Sequence, residues 1–231
     1  DRDGPAAEAA AAGIRASGGL ATGLEGDVTD EARMAEIMAQ AAALQGGIDI
    51  LINNAGLHSE EYGRPITEMG LAKTRRLFEV NVNGTVLCTL AAWPHMKGRA
   101  GASMVNISSS AAHMGGSAYG VSKLAVAGLT ITFARELGPD GIRVNAISPG
   151  LMLTETIRAE LPAETMARVK AMQLIGDDGL MHIAHNLEHI ERQRNVEALI
   201  APGERVDVLN ACPLRCRATR SVRPEVRRSA R

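Results

Sequence analysis

The chain has 231 residues, enough for one domain with a sizeable core. Hydrophobic residues make up 45% and aromatics only 2%, so the core has to be built from Ala, Val, Ile, Leu and Met. The formal net charge of −1 gives no electrostatic case for a nucleic-acid partner, and no apolar run approaches the roughly 20 residues that span a membrane. Cys88, Cys212 and Cys216 suggest no disulfide framework, so a cytoplasmic protein is expected.

In chain order, the Ala-rich stretch Ala6 to Ala16 predicts a helix. Leu20 to Gly26 predicts a short strand that ends at Asp27. Asp30 is placed to cap the next helix, with Ile37, Ala41 and Leu44 repeating on one face. Ile48 to Ile52 is a continuous apolar run bounded by Gly-Gly and Asn-Asn, which predicts a fully buried parallel strand. Glu68 to Trp93 predicts a long helical stretch, with Pro94 marking an end nearby. Ser103 to Ile107 predicts another strand. Tyr119 to Leu137 predicts a helix with Leu124, Gly128, Leu129, Phe133 and Leu137 sharing much of one face. Ile142 to Ile147 predicts a further strand, ended by Pro149-Gly150.

Strands alternating with helices imply an α/β fold with a parallel sheet covered by helices. Ligands of such sheets bind outside the carboxyl ends of the strands. Asp27, Asn53, Ser109 and Pro149 all fall just after a predicted strand. Tyr119 and Lys123 are four apart and so share a helix face. Two unit charges about 4 Å apart at an effective dielectric near 20 interact by roughly 4 kcal/mol. That is worth about three pKa units, enough to draw a phenol towards neutrality and let it exchange a proton with an alcohol or carbonyl.

Five motifs lie in order: Asp27-Val28, Asn53-Asn54-Ala55-Gly56, Asn81, the serines before Tyr119-Gly120-Val121-Ser122-Lys123, and Arg143 to Gly150. Together they make the chain resemble the short-chain dehydrogenase/reductase family, from about Asp1 to about Leu174. The resemblance implies a Rossmann-like, doubly wound sheet and an NAD cofactor, with NADP possible. It implies hydride transfer between nicotinamide and a secondary alcohol or ketone. Tyr119 becomes the general acid/base and Lys123 the residue that lowers its pKa and holds the nicotinamide ribose. Ser109 becomes the partner of the substrate oxygen, and Asn81 helps to hold a proton-relay water. The lesser alternative for Asn81 is a polar residue closing a helix irregularity near Gly84. The family serine usually lies 12 or 13 residues before the tyrosine, whereas Ser109 lies ten before it. Ser108 and Ser110 therefore stay open as alternatives.

On the same resemblance, Asn53, Asn54, Ala55 and Gly56 pack against adenosine and ribose, and Asp27 and Val28 meet the adenine. Pro149, Gly150 and Thr154 lie along the cofactor. Asp1, at the end of the second strand, favours NAD over NADP, and Arg2 pulls the other way. The substrate is a small alcohol or ketone shaped by residues 151–174, and a homo-oligomer, dimer or tetramer, is expected.

Both ends depart from the family pattern. No Thr-Gly-x-x-x-Gly-x-Gly turn is present, so the first strand, turn and helix are expected to be missing, roughly 35 to 40 residues. Residues 1–175 are read as a partial dinucleotide-binding and catalytic domain. Residues 176–231 are read as an atypical tail, whose last 21 residues hold seven arginines. His182, His185 and His189 share a helical face but lack an acidic partner set, so no metal is expected. The rival reading is a truncated, non-catalytic chain that acts at most through self-association.

Overall fold

The computed structural model describes residues 1–58, 62–150 and 164. Three parallel strands, β1 (Ile50–Asn53), β2 (Ser103–Ile107) and β3 (Arg143–Ile147), form a sheet in the order β1-β2-β3. Ile50 lies opposite Ser103, and Ser103 opposite Arg143. Parallel neighbours cannot be joined by a tight turn, so helices carry the chain back between them. The helices are α1 (Gly4–Ala16), α2 (Glu31–Gln45), α3 (Ile66–Phe78), α4 (Gly84–Met96), α5 (Ala111–Met114) and α6 (Ala118–Leu137). This is an α/β, Rossmann-like arrangement, a parallel sheet flanked by helices.

Helix starts follow capping chemistry. Asp3, Asp30 and Ser117 each accept a backbone N–H of the first turn of α1, α2 and α6. The main core lies between the sheet and α2, α4 and α6. Met96 and Met104 are sealed from water there, with Leu51, Phe133 and Val144 around them. Burying one such side chain is worth roughly 1.5–3 kcal/mol. A smaller cluster of Met69, Leu77 and Ala118 joins α3 to the start of α6, with Leu57, Tyr62 and Tyr119 packed on it.

Several sequence expectations need correction. Leu20 to Gly26 is not a strand. Asp1 N donates to Leu24 O and Gly26 N to Asp1 O, a single parallel bridge, and the segment otherwise meets the Arg15 and Arg33 side chains. With one bridge no ladder forms, and Leu20 is 89% exposed. The run around β1 is not buried on both faces. Leu51 faces the core, whereas Ile50 and Ile52, on the opposite face of the strand, are 63% and 59% exposed. In α2 the buried stripe is Met34, Met38 and Ala42, so Ile37 is only half-buried and Leu44 is exposed. In α6, Val126, Thr130, Phe133 and Leu137 face inward and Leu124 is exposed. The stretch from Glu68 is two helices joined by a π-helical turn, Glu79–Asn83. Pro94 lies inside α4, which ends at Met96. A proline this close to a helix end frees one carbonyl, that of Leu90, on an exposed stretch. Thr154, the histidine triplet and residues 176–231 lie outside the described residues.

The base of the sheet is pinned by Asp140. Its carboxylate accepts from Trp93 Nε1 at 2.7 Å and from Lys97 Nζ at 2.9 Å. The Lys97 ammonium and then the Trp93 indole hold it below the ordinary carboxylate range. A carboxyl depressed by folding stabilises above its unfolded pKa, about 3.9, and that contribution is lost as pH falls through the folded value. Asp140→Asn should lower Tm at pH 7, and the gap to the parent should narrow as pH falls below the unfolded carboxyl's value. Trp93 is the chain's one tryptophan, so its fluorescence reports the change directly. A Tm gap that stays constant as the solution is acidified through that range would show that the carboxylate charge is not what holds the contact.

Candidate active site

Three of the motifs singled out above follow the strands of the sheet at their carboxyl ends. Asn53 to Gly56 follow β1, Ser108 to Ser110 follow β2, and Pro149-Gly150 follow β3. Ser108 N donates to Ile147 O and Ser110 N to Pro149 O, which ties the last two loops together. Tyr119 and Lys123 stand on the first turns of α6.

The serine question has a geometric answer. Ser108 is 2% exposed, and its hydroxyl donates to the backbone carbonyl of Lys123 at 2.8 Å. It clamps the helix and faces no open space. The Ser109 side chain lies beside the Tyr119 phenol and works to lower its pKa, and its oxygen accepts from Ala111 N. The short spacing between Ser109 and Tyr119 is absorbed by glycines. Gly115 and Gly116 both take positive φ between α5 and α6, a reversal that residues with a Cβ adopt at a cost. A Cβ on Gly120 would come within 2.5 Å of Ala111 O, so α5 packs directly on α6 and carries Ser109 with it.

Lys123 is 5% exposed, its ammonium donates to Ile107 O at 2.7 Å, and it lies 5.8 Å from the centre of the Tyr119 ring. Burial pulls its pKa down to about 8. Burial also pushes the Tyr119 phenol up, with the Ser109 side chain working against it.

Asn81 occupies the π-helical turn and is 1% exposed. Its amide pairs with both backbone groups of Leu57, and its backbone oxygen accepts from Thr85 Oγ1. The irregularity expected near Gly84 is thus real and closed by this residue. A Cβ on Gly56 would lie 3.2 Å from Asn81 Oδ1 and 3.4 Å from Lys123 Nζ, so a glycine leaves that approach open.

The four residues after β1 divide. Asn54 and Ala55 are exposed to the cleft. Asn53 turns inward instead. Its Nδ2 donates to Asn106 Oδ1 at 2.8 Å and to Thr89 Oγ1 at 3.1 Å, and Asn106 Nδ2 donates to Thr130 Oγ1 at 2.9 Å. Val28 packs at the edge of the core, where it would clash with any Cβ on Gly84. Asp27 accepts from the backbone and hydroxyl of Thr29 and then meets Arg76 of α3 at 3.3 Å, contacts that keep its carboxyl ionised to low pH. Asp1 is exposed and accepts from Asp3 N.

Sequence reasoning missed Asn106, Thr130, Ser122 and Arg76. A polar residue inside an otherwise apolar strand, Met104 to Ile107, was the available signal for Asn106. Among the described residues no helix is long and apolar enough to cross a membrane, and no cluster of three metal-ligating side chains occurs.

The two serines should separate experimentally. In a Tyr62→Phe background Tyr119 is the remaining tyrosine, and its ionisation is read by ultraviolet absorbance. Ser109→Ala should raise the phenol's midpoint. Ser108→Ala should leave it in place and destabilise the fold by about 1 kcal/mol. A shift from Ser108→Ala alone would reverse the assignment.

The family model described as short chain dehydrogenase matches residues 1–165. An uncharacterized oxidoreductase of Mycobacterium tuberculosis is 40% identical over 138 residues, 60% of this chain and 56% of the relative. The cis-4-hydroxycyclohexanecarboxylate dehydrogenase of Sinomonas cyclohexanicum is 38% identical over 173 residues, 74% of this chain and 68% of that one. The chain thus spans little more than half the length of the mycobacterial relative. Among solved structures, a 7 alpha-hydroxysteroid dehydrogenase complexed with NADH and 7-oxo glycochenodeoxycholic acid superposes with a TM-score of 0.68 at 30% identity, over 74% of this chain and 67% of that one.

Proposed function

The chain belongs to the short-chain dehydrogenase family, and on that premise we propose that it transfers a hydride between the nicotinamide of NAD and the carbon of a secondary alcohol or ketone. The observation that carries this reading is the placing of Tyr119 and Lys123 on one helix face beside Ser109, with the Lys123 ammonium 5.8 Å from the tyrosine ring. A hydroxyl pair of that kind suits a single oxygen that gains or loses a proton.

When bound, the nicotinamide supplies or accepts the hydride. Tyr119 gives its proton to the substrate oxygen in reduction and takes it back in oxidation. Its phenol is pushed up by burial, so it holds the proton at neutral pH and is set for reduction. Ser109 bonds the same oxygen and stabilises charge that develops there. Lys123, with one N–H spent on Ile107 O, has donors left for ribose hydroxyls. Asn54, Ala55 and Gly56 would line the ribose, and Asp27 and Asp1 the adenosine. Asn53 and Val28 support this surface from behind. The fit is to the two nucleoside ends of the cofactor. Asn81 would hold a proton-relay water through its backbone. Pro149-Gly150 belong to the same cofactor face in this reading.

The substrate class is a small alcohol or ketone, the likeness to a hydroxy-acid and a hydroxysteroid dehydrogenase being its support. Self-association into a dimer or tetramer and a cytoplasmic location form part of the proposal. The rival reading, a non-catalytic chain that acts by self-association, draws on one observation: the exposed Ile50 and Ile52 at the edge strand.

Tyr119→Phe should cut turnover by more than tenfold and leave NAD binding unchanged, since only the proton carrier is removed. Turnover within tenfold of the parent would rule out Tyr119 as the acid. A second measurement concerns the cofactor. kcat/KM with NAD should exceed that with NADP, because the exposed Asp1 carboxylate repels a 2′-phosphate, and Asp1→Ser should narrow the ratio. An NADP preference in the parent would assign the choice to Arg2.

A further inference from the structure

A directed chain of hydrogen bonds runs beneath the phenol. Asn81 and Ser122 are 1% and 0% exposed. Leu57 N donates to Asn81 Oδ1 at 2.7 Å, and Asn81 Nδ2 donates to Leu57 O at 3.1 Å. That double contact fixes which end of the amide is oxygen. The same Nδ2 donates to Ser122 Oγ at 3.0 Å, across 41 residues of chain. Ser122 has one proton to give, and it goes to the backbone oxygen of Tyr119 at 2.7 Å. From Leu57 N through Asn81 and Ser122 to Tyr119 O the donors point one way, while Asn81 Nδ2 also donates back to Leu57 O.

A serine that bonds only a carbonyl of its own helix merely bends that helix a little. Ser122 does more, because it also accepts from a different element. The Tyr119 turn is otherwise steered by α5 on its far side, through Ala111 against Gly120. The turn is also met by Tyr62, whose carbonyl accepts from Tyr119 N at 3.3 Å, and by Met69 and Leu77, but the Ser122 bridge is the contact that joins it to Asn81. We propose that Ser122 is a positioning residue, tying Asn81 to the Tyr119 carbonyl so that the phenol stands at the depth where it meets Ser109. The Leu57 turn directly follows Asn54, Ala55 and Gly56, so any displacement of that surface reaches the phenol through this bridge. The assignment rests on the dehydrogenase reading only for its catalytic consequence, and not for the bridge itself.

The test is a double-mutant cycle on the ionisation of Tyr119, in the Tyr62→Phe background. With Ser122 intact, Ser109→Ala raises the phenol's midpoint. In Ser122→Ala the same Ser109→Ala change should move it by less than half as much, because the phenol no longer meets Ser109. Ser122→Cys, which keeps the volume and bonds weakly, should give the same result, and Ser122→Thr should restore the parent's shift. An equal Ser109→Ala shift in both backgrounds overturns the proposal, and so does loss of folding in both Ser122→Ala and Ser122→Cys. Turnover distinguishes the two readings. Loss of coupling in a chain without oxidoreductase activity upholds the tether and removes the dehydrogenase reading. In an active chain, kcat should fall roughly tenfold or more for a misplacement of about 1 Å, with KM for the cofactor little changed.

Discussion

The amide of Asn106 is sealed from water in the middle strand of the sheet. A buried amide without partners costs about 1–3 kcal/mol, a large share of the stability of a domain. It therefore obliges its neighbours to take fixed places. Asn53 answers it from the end of β1 and Thr130 from the middle of α6, with Thr89 of α4 alongside. Three elements that carry the site are thereby referred to one side chain. The turn after Asn53, the loop after Ile107 and the helix of Tyr119 cannot drift independently while these bonds hold.

At the edge above this network, two effects oppose each other on the catalytic pair. Desolvation favours the neutral form of every group, so it raises the phenol and lowers the ammonium. The expected opposite effect, an ammonium stabilising a phenolate, needs the charge to point at the phenol oxygen. Here Lys123 points at Ile107 O, and packing against Met69, Leu77 and Ala118 partly buries the tyrosine. Burial wins, and Ser109 is the group left to offset it.

Much of this was legible from the chain. The order of strands and helices from Ile48 onward follows from apolar runs and glycine boundaries. The gathering of Asn53, Ser109 and Pro149 at one edge follows from the rule for parallel sheets. What failed did so for tertiary reasons. An apolar run predicts a buried strand, yet whether Ile50 and Ile52 find cover depends on what lies beside β1. The stripe of α2 differs from Ile37, Ala41 and Leu44 by the angle at which the helix meets α4, which periodicity does not contain. Spacing alone left three serines open. Only the close contact of Gly120 with Ala111 shows why Ser109 reaches the phenol from a short loop. Ser122 gave no signal at all, since its partner is remote in sequence.

The position of Thr130 has a further consequence, which concerns the order in which the molecule closes. Asn53 and Asn106 both precede α6 in the chain, and the bond between them leaves the second amide group of Asn106 still to be answered. Thr130 completes it only when α6 settles on the sheet. The helix that dries the core is the one that carries Tyr119 and Lys123. Sealing the interior and assembling the proton-transfer groups are then one step in the maturation of the chain, and a molecule with a finished core has a finished site.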